Sequence, residues 1–254
     1  NLGGVRTILD IGAATGAFSI PLSKMGYEVT HFDLSQDMIN KAILKSKDMD
    51  NIKFVKGNAV DLSLFEEDEF DLVLCFDGAI SFSGKNSNKV IKESCRVGKK
   101  VMLTVSSKSC MVATWLNYSL SKFGRIHPSV KDMMVTGYFN KANYDDVSEL
   151  TSIDEIKAYD IKELSDILIS NNMRVIECRS LGSLTHLYLL HLYRQYNYQE
   201  VNKKINEISI DNDFIELCDY YDKEVMNCGM GSFRRAGIIA IADKINDNSI
   251  EKSK

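Results

Sequence analysis

Ile8-Leu9-Asp10-Ile11-Gly12-Ala13-Ala14-Thr15-Gly16 is the stretch on which the fold turns. A short apolar run rich in β-branched residues spans Val5 to Asp10, and a turn with glycines at 12 and 16 follows it. From Ala17 to Met25 the apolar spacing becomes helical, and Gly26 stands where a helix C-cap is expected. Pro21 falls early in that helix, where a missing N–H is tolerated best. Strand, glycine turn and helix in this order let a backbone pass close to a nucleotide-type ligand.

Two details narrow the ligand. The turn reads G-x-x-x-G, which is poorer in glycine than the G-x-G-x-x-G that cradles a pyrophosphate on several N–H groups. Asp10 stands immediately before it, and a carboxylate there repels a pyrophosphate but suits a cationic amino group, such as that of the methionyl part of S-adenosylmethionine. Both details argue against a nicotinamide dehydrogenase. A second strand pattern, Glu28 to Asp33, ends in an acid about twenty residues past the turn, where a carboxylate can accept from both ribose hydroxyls.

The alternation continues outward. Ser35 fits an N-cap, with Met38, Ile39, Ala42 and Ile43 on one apolar face. Asn51 to Lys56 reads as a third strand. Phe70 to Phe76 reads as a fourth, almost wholly apolar and so covered on both faces. A helix around Asn88 to Val97 precedes a fifth strand, Lys100 to Ser106. The pattern breaks over Ser107 to Thr151. It resumes with a helix at Ile161 to Asn172 and a strand at Arg174 to Ser180, followed by a long helical stretch from Thr185 to Val225 and a final strand at Gly237 to Asp243. Such alternation predicts a parallel α/β sheet with right-handed crossovers.

These residues resemble the class I, Rossmann-like S-adenosylmethionine-dependent methyltransferases. Asp10-x-Gly12-x-Ala14-Thr15-Gly16 is similar to that family's D-x-G-x-G-T-G signature, with Ala14 in place of the middle glycine. The substitution is read as a sign that position 14 does not need positive φ. The similarity continues through His31-Phe32-Asp33-Leu34-Ser35, Gly57-Asn58-Ala59-Val60-Asp61-Leu62, the fourth strand, and Glu93-Ser94-Cys95-Arg96-Val97. It implies a doubly wound, seven-stranded, mostly parallel sheet with an antiparallel last strand, plus helical lid insertions. It also implies a cofactor set. Asp10, Gly12, Ala13, Ala14 and Gly16 come from the turn. Asp33 holds the ribose, Leu34 follows it, and Met38 packs on the adenine. Asn58, with Ala59 and Val60, meets the adenine amino group, and Phe76 ends the fourth strand. Residues 1–106, 152–182 and 231–246 form the expected core, 107–151 and 183–230 the substrate-side lid, and 247–254 a polar tail.

Methyl transfer from such a donor depends mainly on alignment and exclusion of water, and a base is needed only if the acceptor must lose a proton. Two candidate bases stand out. Asp77 follows the fourth strand and reads as a base, a substrate anchor, or a carboxylate capping the turn beside Gly78. His186 opens the long helical stretch near the active edge. His127, Tyr138, Tyr188 and Arg234 are substrate-side candidates, with Trp115 and Phe139 as further lining; each of the aromatics also fits plain helix packing. His31 reads as structural, because it shares Asp33's face but lies deeper in the strand.

The whole chain limits the partners. It has 254 residues, 26% charged, with a formal net charge of −4. That balance disfavours nucleic acid, which wants a basic face, and favours an enclosed small-molecule acceptor; RNA or protein acceptors, or a non-catalytic module that only binds the cofactor, are the alternatives. None of the six cysteines forms a C-x-x-C pair, so no metal site is expected. No apolar run reaches membrane-spanning length and no leader pattern opens the chain, so a reduced, cytoplasmic setting is expected. The four residues ahead of the first strand leave room for an upstream segment. Oligomeric state is open, with a homodimer as one option.

Overall fold

The structure is a computed structural model and describes residues 3–76, 78–146, 151–225 and 237–245. The turn quoted first joins strand β1 (Thr7–Ile11) to helix α1 (Ser19–Lys24). There follow β2 (Glu28–Asp33), α2 (Gln36–Lys45), β3 (Ile52–Lys56) and β4 (Leu72–Cys75). A 3-10 turn at Ser81–Asn86 leads into α3 (Ser87–Val97) and β5 (Lys100–Ser106). The strand expected from Phe70 to Phe76 is shorter than its apolar run. Phe70 makes only an isolated bridge to Gly98.

β1 to β5 pair in parallel in the order β3-β2-β1-β4-β5. Two later strands complete the sheet. β8 (Met173–Leu181) lies at the edge, and β9 (Gly237–Lys244) inserts antiparallel between it and β5. The result is the expected doubly wound, mostly parallel seven-stranded sheet with an antiparallel last strand. Strand order reverses between β1 and β4, so a crevice opens at their carboxyl ends, where α/β sheets bind ligands.

Both faces are covered, which is why the central strands are apolar throughout. Leu9, Ile11, Val73 and Cys75 pack with Val90 and Ile91 of α3 and with Leu164 and Leu168 of α6 (Ile161–Ser170). Ile8, Val29, Leu72 and Leu74 form the opposite core, with Tyr27. Asp71 staples the open ends of β1 and β4. Its carboxylate accepts from the Arg6 and Thr7 amides and from Lys99 Nζ, at 2.9, 3.1 and 2.8 Å, and those contacts hold it well below the usual carboxylate range.

The irregular stretch after β5 has its own small core. It comprises α4 (Lys108–Phe123), α5 (Pro128–Thr136) and a two-stranded ladder of β6 (Tyr138–Asn140) and β7 (Glu155–Lys157). Trp115, Val130, Met133, Phe139 and Ile156 pack together there. The long helical stretch after β8 is three helices: α7 (Ser183–Gln195), α8 (Tyr198–Ile208) and α9 (Asn212–Tyr220). Asn197 divides the first two by forming a capping box with Glu200. A π turn at Tyr221–Val225 ends the segment. From it Asp222 reaches back and accepts from the Gly182 and Ser183 amides at 2.6 and 3.0 Å, which satisfies the first N–H groups of α7. Among the described residues no helix is long and apolar enough to cross a membrane.

Candidate active site

The glycine turn closes on the end of β2. The Gly12 and Ala13 amides donate to the Phe32 carbonyl, and Gly12 adopts φ 71°. Ala14 also has positive φ, at 47°, against the reading that this position avoids it. The physical reason is a tertiary hydrogen bond. In this conformation the Ala14 N–H points at Asp33 Oδ2, 2.8 Å away. Asp33 Oδ1 accepts from the Ser35 N–H at 2.8 Å. Each carboxylate oxygen has a second acceptor site, so Asp33 keeps capacity for a ligand's hydroxyls.

A cavity of about 300 Å³ opens beside this turn. Gly12, Asp33, Leu34, Asn58 and Ala59 line it, together with Phe32 and Gly57. Asn58 is exposed, and its Oδ1 accepts from the Val60 amide at 3.0 Å, which leaves the amide nitrogen facing out. Met38 lies in the first turn of α2, half-buried, its N–H directed at Ser35 Oγ. Gly16 and Ala13 are buried within the turn itself. Phe76, at the end of β4, packs edge-on against Phe18. The segment after β3 is clasped from below. Arg96 Nη2 and Nη1 donate to the Leu62 and Phe65 carbonyls at 2.8 and 3.0 Å, and Glu93 pairs with Arg96 while accepting from the Leu62 amide.

Asp10 lies one residue short of the end of β1 and is 2% exposed. Burial pushes its carboxyl up to about 6, against the opposing hydrogen bonds from the Ser19 hydroxyl and amide. Its Oδ2 is buried without a hydrogen-bond partner, a costly state that a ligand's ammonium group relieves. His31 lies directly across the sheet from Asp10 and is fully buried, with Nδ1 2.7 Å from Ser19 Oγ. Burial lowers its pKa, so the ring is a neutral structural element, as read from its depth.

The other side of the crevice carries residues the sequence did not single out. Gly78, Ala79, Phe82 and Ser83 complete the wall of the first cavity. Gly78 and Phe82 also border a second cavity of about 420 Å³ over the ends of β5 and β8, which Thr104, Ser106, Met111 and Leu181 help to line. The available signal was an aromatic following a glycine turn after the fourth strand, which looks the same whether it faces a pocket or solvent. A larger open groove of about 740 Å³ lies along α6, where Lys108 pairs with Asp160 and Lys162 with Asp166.

Several substrate-side expectations place differently. His127 is 2% exposed inside the α4–α5 unit, with both ring nitrogens engaged at 2.8 Å, by Ser129 Oγ and by Asp146 Oδ1. Trp115 and Phe139 are 1% exposed in the same core, away from the two cavities described above. Tyr138 spends its hydroxyl on Glu155. Tyr188 packs its ring against Phe214 of α9. His186 is buried in the first turn of α7, its amide bonded to the Gly182 carbonyl. Asp77 and Arg234 lie outside the described residues.

Comparison with known proteins agrees with this geometry. Residues 8–100 match the model of a methyltransferase domain. The fold matches a solved S-adenosylmethionine-dependent methyltransferase from Methanosarcina mazei with a TM-score of 0.57 at 20% identity, covering 94% of this chain and 92% of that one. It also matches the magnesium protoporphyrin IX methyltransferase of Synechocystis PCC 6803, solved with bound S-adenosylhomocysteine, at a TM-score of 0.53, 16% identity, and 96% and 76% coverage. Residues 8–100 are therefore similar to a methyltransferase domain, and the chain shares the fold of these solved enzymes. Among curated relatives, it is similar to the demethylmenaquinone methyltransferase of Staphylococcus carnosus, 27% identical over 173 residues, or 62% of this chain and 70% of that protein. Its counterpart in Staphylococcus aureus is 30% identical over 137 residues, and there the match spans 49% of this chain and 55% of that protein.

Proposed function

We propose that this protein methylates an enclosed small-molecule acceptor, with S-adenosylmethionine in the cavity beside Asp33 and the acceptor in the cavity over β5 and β8. The observation that carries the reading is the adjacency of the two cavities, which meet at Gly78 and Phe82. The residues present fit the methyl donor: Asp10 offers a buried, unpartnered carboxylate oxygen to the methionyl ammonium, and Asp33 has free acceptor sites for the ribose hydroxyls. When bound, the donor supplies an electrophilic methyl on a sulfonium; the acceptor's lone pair forms the new bond while the old bond's electrons stay on sulfur.

The chain's own contribution is placement. The Gly12–Gly16 turn and Asp33 hold one end of the donor, and the 78–83 segment aims the other at the second cavity. The helices α4 and α5 and the helices α7 to α9 act as the lid that excludes water, with α7 held in place by Asp222. The five described cysteines are free, in keeping with a reduced cytoplasmic setting. The names of the staphylococcal relatives support a small-molecule acceptor over RNA or protein.

Calorimetry with S-adenosylhomocysteine and with NAD tests the donor half, with micromolar or tighter binding expected for the first and none for the second. Binding of NAD alone would overturn it. Methyl transfer measured across a metabolite library, against a total RNA and a peptide control, tests the acceptor half.

A further inference from the structure

Asp10, Ser19 and His31 form a buried polar chain beneath the glycine turn. Asp10 of β1 and His31 of β2 are register partners in the sheet. Each stands two residues before a residue that lines the cavity beside the turn, Gly12 and Asp33. Ser19, the first residue of α1, joins them. Its hydroxyl and amide hydrogen-bond to the Asp10 carboxylate, and its Oγ lies 2.7 Å from His31 Nδ1. Ser19 and His31 are fully buried, and the Phe54 ring packs on His31 with centroids 5.0 Å apart. Among the described residues, Asp10 Oδ2 and His31 Nε2 have no hydrogen-bond partner, although the Ala14 backbone is near the ring.

Counting protons leaves this chain two arrangements, because a serine hydroxyl donates to one neighbour only. With Asp10 ionised, Ser19 donates to the carboxylate and accepts from His31 Nδ1–H, so Nε2 is bare. With Asp10 neutral, its carboxyl donates to Ser19, Ser19 donates to His31 Nδ1, and the ring carries its proton on Nε2. The ring is uncharged in both. The arrangements differ by one proton. On passing to the ionised one, Asp10's proton moves to Ser19, Ser19's moves to His31 Nδ1, and the proton on Nε2 leaves to solvent.

The surroundings set the balance. Burial favours neutral Asp10, and the Asp33 carboxylate on β2 opposes a second negative charge beside it. From β4 the titratable group facing Asp10 is Cys75, whose fully buried thiol is pushed far up and carries no charge. A ligand's ammonium group at Asp10 tips the balance the other way.

Resting on the function proposed above, we infer that Ser19 and His31 are positioning residues for the methyl donor: they couple ionisation of Asp10 to a tautomer exchange of the buried His31 ring, and the donor's cationic amino group draws the chain into the ionised arrangement. The probes are S-adenosylhomocysteine and 5′-methylthioadenosine, which share the thioether and the nucleoside while only the first carries the amino group. Each is added to the full chain at about pH 6, where both arrangements are populated. Ring-nitrogen chemical shifts read the tautomer, and calorimetry in buffers of different ionisation heat reads the proton. S-adenosylhomocysteine moves His31 of the wild type from Nε2–H to Nδ1–H and releases a proton; 5′-methylthioadenosine does neither. Ser19→Ala abolishes the tautomer response and weakens S-adenosylhomocysteine about tenfold, with 5′-methylthioadenosine held within about twofold. A merely structural serine would shift both probes alike and leave the tautomer response in place. A His31 tautomer unmoved by bound S-adenosylhomocysteine, an equal exchange with 5′-methylthioadenosine, or wild-type binding of both probes by Ser19→Ala overturns the inference. Failure of S-adenosylhomocysteine to bind at all instead removes the methyltransferase reading beneath it.

Discussion

The amide of Ala14 and the carboxylate of Asp33 meet across the β1–α1 turn at 2.8 Å, nineteen residues apart in sequence. Asp33 is therefore part of the turn's own architecture as well as the proposed partner of the ribose hydroxyls. Asp33→Ala is expected to lose most affinity for S-adenosylhomocysteine and also to destabilise the fold by about 1–3 kcal/mol, because the Ala14 and Ser35 amides lose their acceptor. Asp33→Asn keeps one acceptor oxygen and should recover part of the stability but little of the affinity. Calorimetry and urea melts on the two variants separate the roles; equal affinity in Asp33→Asn and wild type would remove the carboxylate from the ribose site.

Ala14 holds a left-handed backbone that costs a non-glycine residue roughly 1–2 kcal/mol. Ala14→Gly should relieve that strain while adding freedom to the unfolded chain, for a net gain of about 0.5 kcal/mol. Chemical denaturation reads the difference. A substantial loss of stability would mean that the Ala14 methyl packs in a way its exposure does not indicate.

On the function proposed above, Asp10 gives the cofactor site a pH dependence. Burial raises its carboxyl to about 6 from an ordinary 3.8, so the fold favours the neutral form. Its contribution to stability is complete below about pH 4 and is lost as pH rises through about 6. A ligand's ammonium favours the ionised form, so affinity should rise over the same interval. His31 acts in the opposite sense: its lowered pKa makes its contribution complete above its ordinary 6.5 and lost as pH falls below that. The rise in melting temperature on adding S-adenosylhomocysteine should thus be larger at pH 7.5 than at pH 5, and Asp10→Asn should flatten that difference. An identical shift at both pH values in the wild type would dismiss Asp10 as the ammonium's partner.

His127→Ala should cost about 2 kcal/mol or more, by leaving a hole between the Phe123 and Tyr144 rings and stranding the buried Ser129 amide. Affinity for S-adenosylhomocysteine, measured below the lowered melting point, should stay within about twofold. A selective loss of binding in a fully folded variant would return His127 to the site.

Strand-helix alternation made the sheet legible because its central strands are covered on both faces and read as unbroken apolar runs. The meeting of Gly12 and Asp33 at one turn was legible too, since a strand, a glycine turn and a next strand ending in an acid bring those positions together. What escaped reading depends on contacts between distant positions. The conformation of Ala14 follows from Asp33, and the role of Tyr138 follows from Glu155. His127 and Trp115 in the stretch after β5 carry the same polar and aromatic signal whether they face a pocket or a private core. Phe82 was read only as part of the loop after the fourth strand, because residue type does not reveal how firmly a backbone is held.

The placement of β9 orders the assembly of the molecule in time. β8 is synthesised more than fifty residues before β9, yet its neighbour in the sheet is β9 and not β5. A nascent chain that has reached Leu181 can already pair β1 to β5, but it must leave the outer side of β5 uncovered and β8 without a ladder. The helices α7 to α9 are made during that wait. Closure of the sheet by β9 joins the two halves, and because β5 and β8 then flank the second cavity from either side of it, that cavity cannot form before β9 is in place.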